Sequence, residues 1–222
     1  MARMRMLYLV STPIGNLEDM TYRGVRILKE ADFIACEDTR TSGVLTKHYG
    51  IERPMLSFHS HSGVAKIDKI LEALGEGKTC ALISDAGTPG ISDPAYALVK
   101  AAIAEGIPVC PIPGASAVLS ALVCSGAHTH DFRFLGFMPI KKGRKTLFES
   151  LKTKDYTVVV YESVHRIDKT VAEIAEHFGP DHKIVIAREL TKKFEEFIRG
   201  TAAECVEELK IRPRKGEFVV IF

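Results

Sequence analysis

Short apolar runs alternate along this chain with longer stretches in which apolar residues return every three or four positions. The first kind predicts buried strands and the second amphipathic helices. In the first half, strands are expected at 7–11, 32–36, 55–58, 79–83 and 108–112. Helical patterns fill the intervals. Over 64–74, Val64, Ile67, Ile70, Leu71 and Leu74 share one face behind Ser62, a candidate N-cap. Over 94–105, Asp93 is the expected N-cap, Pro94 takes the first helical position and Gly106 stops the helix. Strands alternating with helices predict a mostly parallel sheet covered on both faces. The second half changes order. Strands are expected at 132–137, 156–161, 183–188, 194–199 and 216–222, and helices at 143–152, 166–178 and 201–210. The stretch from Val109 to Gly114 reads as the end of a first sheet, and a helix at about 115–125 leads onward. The expectation is a first domain, 1–114, with a mostly parallel sheet, leading into a second domain, 115–222.

Composition changes this picture little. The 222 residues, 46% hydrophobic and 26% charged, are ordinary for globular protein and enough to bury a core. No apolar run reaches the length of a membrane span. Leu7-Tyr8-Leu9-Val10 behind a basic start is too short for a signal-peptide core, so the cytoplasm is expected. Five scattered cysteines without a C-x-x-C pair read as buried reduced thiols. The net charge of +2 decides nothing about partners. Two basic clusters, Lys141-Lys142-Gly143-Arg144-Lys145 and Arg212-Pro213-Arg214-Lys215, are by themselves ordinary solvated loops.

The chemistry is concentrated in the loops. In open parallel sheets ligands bind beyond the carboxyl ends of the strands. There the chain places Ser11-Thr12-Pro13-Ile14-Gly15-Asn16, Glu37-Asp38-Thr39-Arg40, Ser84 to Asp93, and Pro113-Gly114-Ala115-Ser116. Any one of them is a plain turn. Together on one rim they point to a nucleotide-like ligand, with glycines permitting close backbone approach and prolines fixing the loops in advance. Neither G-x-x-x-x-G-K-[ST] nor G-x-G-x-x-G occurs. Apart from Arg40 the loops lack cations, which suits a nucleoside without phosphates. By elimination, S-adenosylmethionine fits, with Asp85 placed to accept from a ribose hydroxyl or an ammonium.

The segments 9–40 (with "TPIGNL" and "EDTR"), "LISDAGTPGISDPAYALV" (82–99), "PIPGASAVLSAL" (111–122), "YESVHRI" (161–167) and "ARELTKKFEEFIRGTAAE" (187–204) carry a family resemblance over nearly the whole chain. It resembles the bacterial small-subunit ribosomal RNA 2′-O-ribose (cytidine) methyltransferases of the tetrapyrrole methylase superfamily. The resemblance implies two α/β domains, the first with a mostly parallel sheet and the second with a mixed sheet, with S-adenosyl-L-methionine in the cleft between them, a homodimer, and small-subunit RNA or the 30S subunit as partner. It carries the cofactor contacts onto Pro13, Asp85, Gly87, Thr88, Ser116, Ala117, Tyr161, Glu162 and Ala187. Thr12-Pro13-Ile14-Gly15-Asn16 replaces the first-loop G-x-G-P-G-D of porphyrin enzymes, which favours RNA. Chains of this kind usually continue past the last strand into a small helical extension, whereas this sequence stops at Phe222.

A ribose hydroxyl needs help to act as a nucleophile. Glu37, Asp38, Arg40 and His165 are the catalytic candidates. The plainer alternatives are that Asp38 or Thr39 caps a helix, that Arg40 neutralises the carboxylates, and that Ser163 caps a helix with His165 exposed in its first turn. Arg188, Glu189 and Lys192 read equally as a structural ion pair. His59 and His61 are rejected as a metal site, since nothing completes one. Lys141, Lys142, Arg144 and Lys145 are the expected phosphate contacts, and Phe137 beside them reads as core in preference to a stacking platform for a base. Rival readings are a methyltransferase acting on a corrin or porphyrin and a non-catalytic ribosome-binding relative.

Overall fold

The computed structural model describes residues 5–59, 64–213 and 215–222. The chain forms two compact units, Met1–Ser116 and Ala117–Phe222.

The first unit runs β1 (Met6–Val10), α1 (Tyr22–Glu30), β2 (Phe33–Cys36), α2 (Thr39–His48), β3 (Met55–Ser57), α3 (Val64–Gly75), β4 (Thr79–Ile83), α4 (Ala95–Ala104) and β5 (Val109–Ile112). Its sheet has the order β3-β2-β4-β1-β5, and every pair is parallel. All five residues of central β4 are buried, which is why it reads as an unbroken apolar run. The first two crossovers step one way along the sheet and the last two step back. Right-handed crossovers then put α1 and α2 on one face and α3 and α4 on the other. The core divides accordingly. Ala81 and Ile83 pack with Ile27, Leu28 and Leu45. Cys80 and Leu82 pack with Ile70, Leu74 and Leu98 on the opposite face.

Two local expectations shift. Val64 is exposed, so the inward face of α3 is Ile67, Ile70, Leu71 and Leu74; Ser62 lies outside the described residues. Helix α4 starts at Ala95 with Pro94 in the cap position, one residue later than expected. The Asp93 carboxylate still caps it by accepting the Ala95 N–H at 2.9 Å.

The second unit runs α5 (Ala117–Val123), β6 (Phe132–Phe137), α6 (Arg144–Leu151), β7 (Thr157–Ser163), α7 (Ile167–Phe178), β8 (Lys183–Arg188), β9 (Glu196–Thr201), α8 (Ala202–Ile211) and β10 (Glu217–Ile221). The sheet order is β6-β7-β10-β8-β9, with β6 and β7 parallel and the other pairs antiparallel. Helices α6, α7 and α8 cover one face through Phe148, Leu151, Val171, Ile174, Cys205 and Leu209. Helix α8 is held at its start by a capping box between Thr201 and Glu204. Strands β7 and β9 end two residues later than expected. The pairings Glu217 with Ser163 and Lys183 with Thr201 set those ends. The carboxyl ends of β6, β7 and β8 therefore share one edge with the amino ends of β9 and β10.

Candidate functional site

Strands β1 and β4 lie side by side, but their crossovers leave toward opposite faces of the sheet. That is the switch point at which doubly wound sheets open a ligand crevice. Here the two loops are stitched together. Thr12 and Gly87 exchange backbone hydrogen bonds of 2.9 and 3.1 Å, and the Thr12 hydroxyl donates to the Ser84 carbonyl at 3.2 Å. The Thr88 hydroxyl donates to the Ala115 carbonyl at 3.2 Å and lies 3.0 Å from the Ser11 hydroxyl. A hydroxyl has one proton, so Ser11 is the donor to Thr88. The loops after β1, β4 and β5 thus form one chain of hydrogen bonds. Close approach dictates the glycine at 114, since a Cβ there would stand 2.9 Å from the Ser11 Cβ. Gly87 adopts a left-handed φ of 80°.

The β2 and β4 ends are clasped in a second way. The Asp38 N–H donates to the Asp85 carboxylate at 3.1 Å, and the Asp85 backbone N–H reaches back to the Glu37 carboxylate. Glu37 is half-buried and lines a small hollow with Phe58, Ser84 and Asp93. Burial, and after it the Asp85 charge, raise its pKa. Asp38 accepts the Arg40 N–H at 2.8 Å as the N-cap of α2, and its side chain also pairs with the Arg40 guanidinium at 2.6 Å. Those bonds hold its carboxyl at about 2. The plainer alternatives therefore describe both: Asp38 caps a helix, and Arg40 neutralises it. Asp85 itself is exposed, Pro13 and Gly87 are buried, and Thr88 and Ser116 are half-buried.

S-adenosylmethionine fits this rim. It offers backbone groups, small hydroxyls and an exposed carboxylate. Its one cation among the described residues, Arg40, pairs with Asp38. Among the described residues no group of three His, Cys, Asp or Glu is arranged for a metal ion. His59 is half-buried, and His61 lies outside the described residues.

The second unit treats its predicted residues differently. Arg144 is a correction. It is 4% exposed, too deep to contact RNA. Its guanidinium lies on the Glu173 carboxylate at 2.5 Å, the Thr170 hydroxyl at 2.7 Å and the Pro139 carbonyl at 3.0 Å. Basic sequence context concealed an internal role. Glu162 is 2% exposed, and its carboxylate accepts from Thr170 at 2.6 Å and the Ser163 N–H at 2.8 Å and pairs with Arg166 at 2.9 Å. Its side chain is thus occupied internally. Tyr161 is half-buried, with its pKa raised by burial, and Ala187 is fully buried in β8. Ser163 does not cap α7, which begins after Arg166 without a side-chain cap; its hydroxyl instead faces the Arg166 Nε at 3.3 Å. His165 is exposed. Arg188 pairs with Glu196 at 2.7 Å, and Lys192 bridges Glu189 and Glu217 at 2.8 and 2.6 Å, all structural ion pairs. Lys141, Lys142 and Lys145 are exposed, and no carboxylate among the described residues pairs with them.

Phe137 departs from its preferred reading as core: it is 52% exposed. The neighbouring Gly136, at φ 65°, was the available signal.

Residues 6–206 match the model of the tetrapyrrole (corrin/porphyrin) methylases. The chain is 49% identical to the ribosomal RNA small subunit methyltransferase I of Halalkalibacterium halodurans, over 97% of this chain and 74% of that protein. It is 47% identical to the protein of the same description from Hydrogenobaculum sp., over 97% and 94%. Among solved structures, a diphthine synthase superposes with a TM-score of 0.74 at 14% identity, covering 98% of this chain and 89% of that one. A uroporphyrin-III C-methyltransferase from Thermus thermophilus, complexed with S-adenosylhomocysteine, superposes at 0.68 with 17% identity, covering 97% and 96%. The chain belongs to the tetrapyrrole methylase family.

Proposed function

We propose that this tetrapyrrole methylase transfers a methyl group from S-adenosyl-L-methionine to the 2′-hydroxyl of a cytidine ribose in small-subunit ribosomal RNA. The observation that carries the reading is the rim of the first unit, rich in backbone donors and hydroxyls and without a phosphate cradle. The relatives described as ribosomal RNA small subunit methyltransferase I, at 49% and 47% identity, direct it to RNA. The reading places the protein in the cytoplasm with its substrate and keeps a homodimer as the expected assembly.

The cofactor supplies an activated methyl group on a good leaving group, so the protein's main task is alignment. Asp85 is placed to hold a ribose hydroxyl or an ammonium. Ser11, Thr12, Thr88 and the Gly87 backbone fix the loops around it, so little ordering is left for binding. Ser116 and Ala117, with Tyr161, Glu162 and Ala187, remain contacts to be tested one by one. The nucleophile's proton needs an acceptor. Glu37 suits that role best, because Asp38 and Arg40 are committed to each other and a raised pKa brings a carboxylate nearer to the operating pH. His165, exposed at the end of β7, is the other acceptor to test.

The test is methyl transfer from labelled S-adenosylmethionine to small ribosomal subunits lacking the modification, with naked ribosomal RNA and a reduced porphyrinogen in parallel. Label in the ribose of one cytidine is expected. Label only in the porphyrinogen would transfer the reading to tetrapyrrole chemistry. Subunit binding without any transfer would make the protein a non-catalytic ribosome-binding relative.

A further inference from the structure

We propose that the exposed ring of Phe137 is a stacking platform for an unpaired base of the RNA, with Lys141, Lys142 and Lys193 on the same rim taking flanking phosphates. This rests on the RNA reading above and assigns the surface that would meet the strand.

The backbone aims the ring. In the β6–β7 ladder, Phe134 pairs with Val159 but Phe137 pairs with Tyr161, so β6 carries one extra residue. Without that bulge, position 137 would fall on the face packed by α6 and α7. A bulge re-aims the following side chain, and this one moves Phe137 to the opposite face beside Phe134 and Tyr161. The Tyr161 ring meets it edge-on at 5.6 Å, and the Arg166 guanidinium lies 6.0 Å from its centroid. The ring is therefore supported from within the protein while half of its surface faces solvent.

The loop beyond it is held just as firmly. Arg166 donates to the Met138 carbonyl at 2.9 Å and Arg144 to the Pro139 carbonyl at 3.0 Å. Both arginines have their charges matched internally, by Glu162 and Glu173. What the loop shows to solvent is Ile140, Lys141 and Lys142. On the same edge, the loop after β8 presents Lys193 beside Phe194, which is 66% exposed. Three strand spacings separate β6 from β8, about 14 Å.

The charge leans toward a polyanion. Glu162, Glu189, Glu196 and Glu217 on this edge are all paired with Arg166, Arg188 or Lys192, and exposed Glu195 accepts the Thr191 N–H at 2.6 Å without a cation among the described residues, one carboxylate against three lysines. Lys141, Lys142 and Lys193 have no such partner among the described residues. Aromatic faces beside unpaired cations form the sequence-tolerant platform used for single-stranded nucleic acid.

Binding of the intact protein to unmodified small subunits, and to a mixed-sequence single-stranded RNA oligomer, is measured over a salt series. Phe137→Ala is expected to weaken binding about tenfold with the salt dependence unchanged, and Phe137→Trp to restore it. Lys141→Ala with Lys142→Ala is expected to weaken binding and to flatten the logarithmic salt slope by about 1.4. Wild-type affinity in Phe137→Ala overturns the platform. So does a loss that tracks thermal stability and is not restored by Trp. If the wild type methylates RNA and Phe137→Ala does so equally well, only the platform falls. If the wild type methylates a porphyrinogen and not RNA, the RNA reading falls and the platform falls with it.

Discussion

Both units put their chemistry at the carboxyl edge of parallel strands, and the two edges are built from opposite materials. The edge of the first unit is glycine, proline and small hydroxyls stitched by backbone hydrogen bonds, with its one arginine engaged by Asp38. The edge of the second unit is lysine, arginine and aromatic rings over a buried ionic network. A rigid cradle with an exposed carboxylate suits a small ligand recognised atom by atom. A supported surface with surplus cations suits a long anion recognised by charge and stacking. The fold supplies the place, and the loops supply the chemistry.

Five experiments would break or sharpen this contrast. The largest effect is expected at Arg144. Its removal leaves Glu173, Thr170 and the Pro139 carbonyl without their cation, and Arg144→Ala should lower the unfolding free energy in urea by about 3 kcal/mol. Lys142→Ala, two positions earlier, should stay within about 0.5 kcal/mol of wild type. Equal losses would mean that the network does not carry the second edge.

Glu37 comes next. Its folded pKa is raised, so its charged form costs stability, and that cost grows as the pH rises through the folded pKa. Glu37→Gln should therefore be at least as stable as wild type at neutral pH. As the proton acceptor, its loss should lower the methyl-transfer rate about a hundredfold and remove the acid limb of the pH–rate profile. An unaltered limb would pass the role to His165.

Gly114→Ala forces a Cβ to 2.9 Å from Ser11 and disturbs the Ser11–Thr88–Ala115 chain. It should cost about 1–3 kcal/mol of stability, and calorimetry should show cofactor affinity falling while RNA affinity holds. Asp85→Ala should reduce cofactor affinity about tenfold, with unfolding changed by no more than about 1 kcal/mol. Unchanged affinity would remove Asp85 from the site.

The smallest effect is at Asp38. Its depressed pKa means that its contribution is present above the unfolded carboxyl's value of about 4 and is lost as the pH falls toward about 2. Asp38→Asn should keep the α2 cap and lose that acid dependence in thermal unfolding.

Much of the first edge was legible because its chemistry is local. Gly87, Gly114, Thr88 and Asp85 sit in loops whose composition announces them, and parallel strands bring successive loops to one side. The second edge was less legible. Arg144 lay within a run of lysines that marked it as exposed. Only its contacts with Thr170 and Glu173, 26 and 29 positions further on, reveal it as buried. Phe137 belonged to an apolar strand pattern, and one extra residue reversed its face.

By itself the sequence determined the alternation of strands and helices, the parallel first sheet and the loops that form its rim. Periodicity, capping and turn chemistry act over a few residues and leave their mark in order along the chain. The tertiary structure alone decided which cation is solvent-facing and which is buried, which carboxylate is tied to an arginine, and on which side of the sheet an aromatic ring emerges. Those outcomes depend on desolvation, ion pairing and strand register between residues far apart in the chain, and no local pattern records them.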